Sequence, residues 1–146
     1  MSARVALAVA ASGLALAACG GSLSGAAAVA NWAKDANFTA NTRTLLEDAR
    51  HAVVALGDPS SSPNALHTVC GVLQTDDEAA YNSLPTPDAS ATGLLNRAYN
   101  ELGTGASHCY DAGDSPLARA RALRELTTGA ADLAEGAARV ASALVP

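Results

Sequence analysis

Alanine sets the strongest limit on the fold of this chain, because 36 of its 146 residues are alanine. The hydrophobic fraction of 49% therefore consists largely of single methyl groups, and isoleucine is absent. Aromatic residues make up 3% of the chain, whereas β-sandwiches and barrels need β-branched and aromatic side chains. Alanine, leucine, arginine and glutamate favour helix. The composition therefore predicts an all-α protein.

Apolar residues recur at helical spacing in four segments, at about 26–56, 63–84, 89–109 and 116–144. The first segment carries a stripe of Phe38, Thr42, Leu45, Ala49, Ala52 and Leu56. The fourth carries a stripe of Leu123, Leu126, Ala130, Leu133, Ala137, Val140 and Leu144. The second has a comparable stripe, which Asp77 interrupts. Because the connections are short, we expect one domain over 26–146, an antiparallel up-down four-helix bundle.

Local signals support the ends of these helices. Ser62 and Ser115 each precede a proline, which is typical of an N-cap followed by the first helical residue. Asp88 is a plausible N-cap after the break Leu84-Pro85-Thr86-Pro87-Asp88. Gly103 and Gly105 are expected to weaken the last turns of the third helix, since glycine costs ~1 kcal/mol relative to alanine there.

The beginning of the chain has the pattern of an export signal. A short basic end at residues 1–4 precedes an apolar run at residues 5–18, which is shorter than the ~20 residues of a membrane-spanning helix. The run ends in Leu16-Ala17-Ala18-Cys19, which resembles the lipobox of bacterial lipoproteins.

This resemblance implies that residues 1–18 are removed as a signal peptide and that the sulfur of Cys19 receives a diacylglyceryl group. The new amino group could also be acylated, and two or three acyl chains anchor a protein stably. The partner would then be the membrane, reached through the lipid on the extracytoplasmic face. The alternative is a freely secreted protein, because Ala15 and Ala17 also offer an ordinary signal-peptidase site.

The cysteine count fits the lipoprotein interpretation. Three cysteines in an exported chain leave one unpaired. If lipid occupies Cys19, then Cys70 and Cys109 remain, and an oxidising compartment favours a disulfide between them. Such a bond would stabilise the folded state by about 3–4 kcal/mol in the chain-entropy model, because it closes a loop in the unfolded chain.

Residues 19–25 are rich in glycine and serine and are expected to form a flexible tether. The net charge of −5 includes Arg4, which the proposed processing removes, so the mature chain is more acidic still. An acidic domain is repelled by anionic lipid. It also lacks the basic face of a nucleic-acid-binding protein, so no nucleic-acid partner is expected.

The mature region resembles small exported actinobacterial helical proteins with two cysteines. The resemblance rests on the order of Trp32, Cys70, the Leu84 to Asp88 break, Cys109 and the glycine- and alanine-rich stretch at 129–141. It implies a helical fold, a disulfide and export, and it implies no activity.

Few residues form a pattern with a defined chemistry. His67, Cys70, His108 and Cys109 could bind zinc if both thiols were reduced, but adjacent helical residues point about 100° apart, so no metal site is expected. The acidic runs Asp76-Asp77-Glu78 and Asp111-Ala112-Gly113-Asp114 lack a calcium-loop pattern. We interpret the first as a solvated helix face and the second as a turn.

Two other features call for a structural explanation. Arg119, Arg121 and Arg124 lie early in the fourth helix, where positive charge opposes the helix dipole. We expect nearby acidic groups to satisfy them, although an anionic ligand is an alternative. Trp32, the only tryptophan, is expected to pack at the end of the bundle rather than enter the membrane interface.

No segment combines a nucleophile, a base and an oxyanion donor, so an enzyme is not expected, nor is a cofactor. The first hypothesis is a non-catalytic, lipid-anchored extracytoplasmic domain with a binding or envelope-structural role, for which an envelope protein is a candidate partner. The alternative is a carrier or binder of an apolar ligand in the bundle core, where small side chains could leave a cavity.

Overall fold

The computed structural model describes residues 25–145, and every regular element in that range is a helix. The five helices are α1 (Gly25–Asp35), α2 (Phe38–Gly57), α3 (Pro63–Tyr81), α4 (Ala89–Asp111) and α5 (Pro116–Ala143). The all-α prediction is confirmed. None of the helices in residues 25–145 is both long and apolar enough to cross a membrane. The signal region, Cys19 and most of the tether lie outside the described residues.

The prediction of four helices is wrong at the first segment, which is divided in two. Asn37 has φ 47° and ψ 37°, a left-handed conformation that ends the regular helix after α1. Asparagine tolerates this conformation better than most residues, because its side chain is short and polar. The turn brings Trp32 against Phe38, with ring centroids 5.1 Å apart. The stripe from Phe38 to Leu56 is buried, as predicted.

The four long helices form a closed ring around the core. The α2 helix packs against α3, α3 against α4 and α4 against α5, and α5 packs back against α2. The short α1 lies against α2 and α5. It is also fixed by a 2.8 Å hydrogen bond that the Trp32 indole donates to the carbonyl of Ser83. The expected packing of Trp32 at the end of the bundle is confirmed.

Three N-caps are confirmed. The Ser62 hydroxyl, the Asp88 carboxylate and the Ser115 hydroxyl accept hydrogen bonds from amides three residues later, at 3.2, 2.7 and 3.3 Å. The Asp88 carboxylate also accepts two hydrogen bonds from Arg139, the shorter at 2.6 Å. The start of α4 is therefore tied to the last turns of α5.

The contact between α4 and α5 depends on glycine. A Cβ atom at Gly129 would lie 2.8 Å from the backbone nitrogen of Leu102, and one at Gly136 would lie 2.7 Å from the Leu95 side chain. On α4, a Cβ atom at Gly105 would lie 2.8 Å from the side chain of Leu126. Leucines of each helix therefore occupy the space above glycines of the other. The buried face of α5 lies one position earlier in the sequence than the predicted stripe at several points. Gly129 and Gly136 are buried, and Leu144, at the end of the predicted stripe, is 40% exposed.

The Cys70–Cys109 disulfide joins α3 to α4, with the two Cα atoms 5.9 Å apart and both residues fully buried. Cys70 lies about 16 Å of helix from the end of α3, and Cys109 about 30 Å from the start of α4. The α4 helix therefore begins well past the end of α3, and residues 82–88 span that offset, with a cis peptide bond between Leu84 and Pro85.

Candidate functional site

Asp77 is an ionisable residue that is buried inside the bundle. It lies on the inward face of α3, between Leu73 and Ala80, and is only 6% exposed. Its Oδ1 atom is buried and has no hydrogen-bond partner among the described residues. The interpretation of 76–78 as a solvated face is therefore wrong at Asp77, because the helix turns this residue inward while Glu78 stays exposed. Burying an unpaired carboxylate costs free energy, so the position needs an explanation.

A groove of about 500 Å³ runs between α3 and α4 at this position and is open to solvent. From α3 it is lined by Gln74, Asp77, Glu78 and Tyr81. From α4 it is lined by Tyr99, Asn100, Gly103, Thr104, Ser107 and His108. Most of its lining residues carry a polar group, in contrast to the leucine-rich side of α4 that faces α5.

Gly103 makes room for the acid. A Cβ atom at this position would lie 2.8 Å from Oδ2 of Asp77. The α4 helix continues through Gly103 and Gly105 to Asp111, and the cost of the two glycines to its stability stays a prediction. Gly105 accommodates Leu126 and Gly103 accommodates Asp77. A helical glycine and a buried acid, each unfavourable by itself, thus face each other across the groove.

Burial controls the ionisation of the two buried titratable groups at this groove. It raises the pKa of Asp77 to about 7, because the carboxylate loses hydration without gaining a partner. Burial also raises the pKa of Tyr99 to about 12, and the negative charge of Asp77 adds to this rise. Asp77 therefore changes charge near neutral pH, whereas Tyr99 stays a neutral phenol.

Two tyrosines provide the aromatic surface of the groove. Tyr81 and Tyr99 contact each other edge to face, with ring centroids 6.5 Å apart. Tyr99 is 2% exposed, while Tyr81 remains 44% exposed. The Tyr81 ring thus presents aromatic surface to solvent at the edge of the groove.

His108 at the far end of the groove is held by α5. Its Nδ1 lies 2.6 Å from Oε2 of Glu125, whose Oε1 accepts a 2.9 Å hydrogen bond from Arg121. Burial would raise the pKa of Glu125, but the hydrogen bonds and charges of His108 and Arg121 outweigh it and lower that pKa. His67, by contrast, stacks on Tyr110 at 4.3 Å.

Cys70 and Cys109 form a disulfide, so they do not offer the thiolate ligands that the zinc alternative requires. Within residues 25–145, no three His, Cys, Asp or Glu side chains converge to hold a metal ion. Asp76 does approach Asp48 of α2. Burial and the neighbouring Asp76 together raise the pKa of Asp48.

Within the arginine cluster, Arg121 pairs with the acidic Glu125 as expected, whereas Arg119 is held mainly by backbone carbonyls. Arg119 is 8% exposed and donates hydrogen bonds to the carbonyls of Gly113, Asp58 and Ser61, at 2.8, 3.1 and 2.7 Å. Its contact with Asp114 is longer, at 3.8 Å. Arg119 thereby ties the α2–α3 connection to the α4–α5 connection. For Arg119, the expected acidic neighbour thus contributes less than the three carbonyls do.

An apolar groove of about 240 Å³ lies where α1 and α2 meet the end of α5. Phe38, Val140 and Leu144 contribute to its walls. It is open at the surface, whereas the space between α4 and α5 is filled by leucines lying on glycines.

Comparison with known proteins adds no family to this geometry. No protein-family model, no curated protein sequence and no solved structure matches the chain.

Proposed function

We propose that this chain is a non-catalytic, lipid-anchored binding domain on the extracytoplasmic face of the cell membrane, with the α3–α4 groove as its ligand site. The short connections between the long helices support an antiparallel up-down arrangement of α2 to α5, with α1 as the segment that leads to the anchor.

The observation that carries this proposal is the buried Cys70–Cys109 disulfide. Disulfides persist mainly in oxidising compartments, which supports export of the domain. The bond also uses two of the three cysteines, so Cys19 is the one left for another chemistry. Cys19 ends the lipobox-like sequence Leu16-Ala17-Ala18-Cys19, which supports lipidation of its sulfur.

A binding role is supported by where the polar groups of the domain lie. The groove brings a buried carboxyl, two tyrosines and several neutral hydrogen-bonding groups to one place. The proposal also includes an envelope protein as a candidate partner of the domain.

Intact mass spectrometry of protein purified from its own membranes tests the anchor. We expect a mature chain that begins at Cys19, carries a diacylglyceryl mass and gains two hydrogens on reduction. The variant Cys19→Ser should lose the lipid and leave the membrane fraction, while keeping the two-hydrogen change. An unlipidated wild-type chain, or a membrane-bound Cys19→Ser variant, would contradict the proposal.

The second candidate function, a carrier of an apolar ligand, is favoured by the apolar groove beside α5. Native mass spectrometry of the same preparation tests it. The candidate requires a lipid at a fixed ratio to protein, in addition to the anchor on Cys19. Substituting Ala141, at the rim of this groove, by Asp should release that lipid, and retention of the lipid would argue against this site.

A further inference from the structure

We propose that the α3–α4 groove binds a small organic cation, with an ammonium or guanidinium group paired to the Asp77 carboxylate and the rest of the ligand lying against Tyr81. This inference deepens the proposed function and rests on its binding role. It does not depend on the lipid anchor, so the two can fail separately.

The first support is the unpartnered carboxyl itself. Asp77 lines the groove, is more than nine-tenths buried, and its Oδ1 atom has no hydrogen-bond partner among the described residues. None of the side chains that line the groove from α4 donates a hydrogen bond to the Asp77 carboxyl. A ligand with N–H donors and a positive charge would supply the carboxylate with a counter-charge and with a donor at Oδ2, the oxygen that lies next to Gly103 of the groove lining.

The second support is the sign of the charge around the groove. Two carboxyl groups, Asp77 and Glu78, line it, and no lysine or arginine does. The histidine in the lining, His108, is already engaged with Glu125. The groove therefore attracts a cation and disfavours a phosphate or a carboxylate ligand.

The third support is the aromatic surface next to the acid. Tyr81 is 44% exposed at the rim of the groove and contacts Tyr99, which lies beside Asp77. A cation near an aromatic face gains further attraction. Neutral groups farther along the lining, Gln74, Asn100, Thr104 and Ser107, can hydrogen-bond the polar parts of a ligand.

An organic cation fits better than a metal ion. Calcium and magnesium need several oxygen ligands that converge on one point. Within the described part of the chain, no group of three His, Cys, Asp or Glu side chains does so. The buried Asp77 carboxylate near the Tyr81 ring matches an amine, which needs one ion pair and a surface to lie on.

Benzylamine is a suitable probe, and benzyl alcohol is its uncharged control of nearly the same shape. Both would be titrated at pH 8 into the full chain, purified with its disulfide intact and with isotopic labels for NMR. We expect benzylamine to shift the Gly103 amide and the Tyr81 ring signals. Benzyl alcohol should bind at least about tenfold more weakly, which reflects the loss of one charge-assisted hydrogen bond.

Two variants of equal net charge locate the site. Asp77→Asn should weaken benzylamine binding about tenfold or more, and Asp111→Asn, at the exposed end of α4, should leave it unchanged. Tyr81→Leu should weaken it by a smaller factor, of about two to five. The comparison of the two probes on wild-type protein stands even if a variant fails to fold.

The outcomes separate this inference from the proposed function. Equal binding of both probes, or equal loss in Asp77→Asn and Asp111→Asn, would overturn the cation assignment. Absence of benzylamine binding at millimolar concentration would also overturn it, whatever mass is found on Cys19. A missing lipid together with Asp77-dependent benzylamine binding would remove the anchor and leave the cation site standing.

Discussion

The two faces of α4 are built on opposite principles. Towards α5, leucines lie over glycines and the backbones approach so closely that a single methyl group would not fit. Towards α3, the helix meets an open groove that contains a buried acid, and a disulfide holds the interface at one end. The same helix thus provides a dry contact that stabilises the fold and an open one that is available to a ligand.

The comparison also shows that glycine has two different roles on one helix. Gly105 receives a leucine from α5, whereas Gly103, two residues earlier, leaves space for the Asp77 carboxyl. In the first case the missing side chain allows tight packing. In the second the missing side chain leaves room for a buried carboxyl group, which a larger residue would displace. Four experiments test this contrast.

The largest effect is expected from removing the disulfide, because the α3–α4 interface has the groove in place of tight packing. Replacing both Cys70 and Cys109 by alanine should lower the free energy of unfolding by about 4 kcal/mol, as loop closure over a separation of 39 residues implies. Denaturant unfolding measures this, with reduced wild-type protein as a comparison. A loss below about 1 kcal/mol would mean that packing alone holds this interface.

The second effect is a dependence of stability on pH. Because the pKa of Asp77 is about 7 in the folded state and 3.8 as its ordinary value, the folded form binds the proton more tightly. The resulting stabilisation is complete below about pH 4 and is lost as the pH rises to about 7.

Between pH 5 and pH 8, the wild-type chain should therefore lose roughly 2–3 kcal/mol that the Asp77→Asn variant does not lose. Unfolding at several pH values measures the difference between the two proteins. Asp48, whose pKa is also raised, is present in both and cancels. Parallel pH profiles for the two proteins would show that Asp77 is ionised without cost.

The third effect tests the dry face. Gly129→Ala places a methyl group 2.8 Å from the Leu102 backbone nitrogen, and we expect a loss of about 2 kcal/mol. Gly93→Ala is the matched control, because no atom lies within 4 Å of its Cβ position on the exposed side of α4. That change should raise stability by up to about 1 kcal/mol. Equal gains at both positions would show that α4 and α5 can separate without cost.

The smallest effect is a coupling across the groove. Gly103→Ala should cost about 1 kcal/mol in the wild type, since its Cβ would meet Oδ2 of Asp77, and should cost nothing in an Asp77→Ala background. A double-mutant cycle of unfolding free energies measures this coupling. Additive effects would mean that the carboxyl moves aside freely.

Much of the fold could be predicted from the sequence, because helix ends and stripes are local properties. Three N-caps, the buried stripe of α2 and the pairing of Cys70 with Cys109 are all found in the structure. The break at Asn37 could not be predicted from apolar spacing. The stripe begins at Phe38 and gives no sign of where the preceding helix ends.

The candidate site was missed for a related reason. Asp77 interrupts an apolar stripe in the sequence, which was a signal, but its acidic neighbours on both sides indicated a solvated face. The roles of the glycines on α4 and α5 depend on which residue of the partner helix lies opposite. Periodicity along one helix does not contain that information.

Trp32 gives the molecule a built-in optical reporter. It is the only tryptophan in the chain, and its indole connects α1 to the carbonyl of Ser83 in the α3–α4 connection, beside Phe38. Intrinsic fluorescence of the native protein therefore reports on one junction. A red shift of that emission, measured while the far-ultraviolet helix signal stays constant, would mark release of α1 from the bundle before global unfolding.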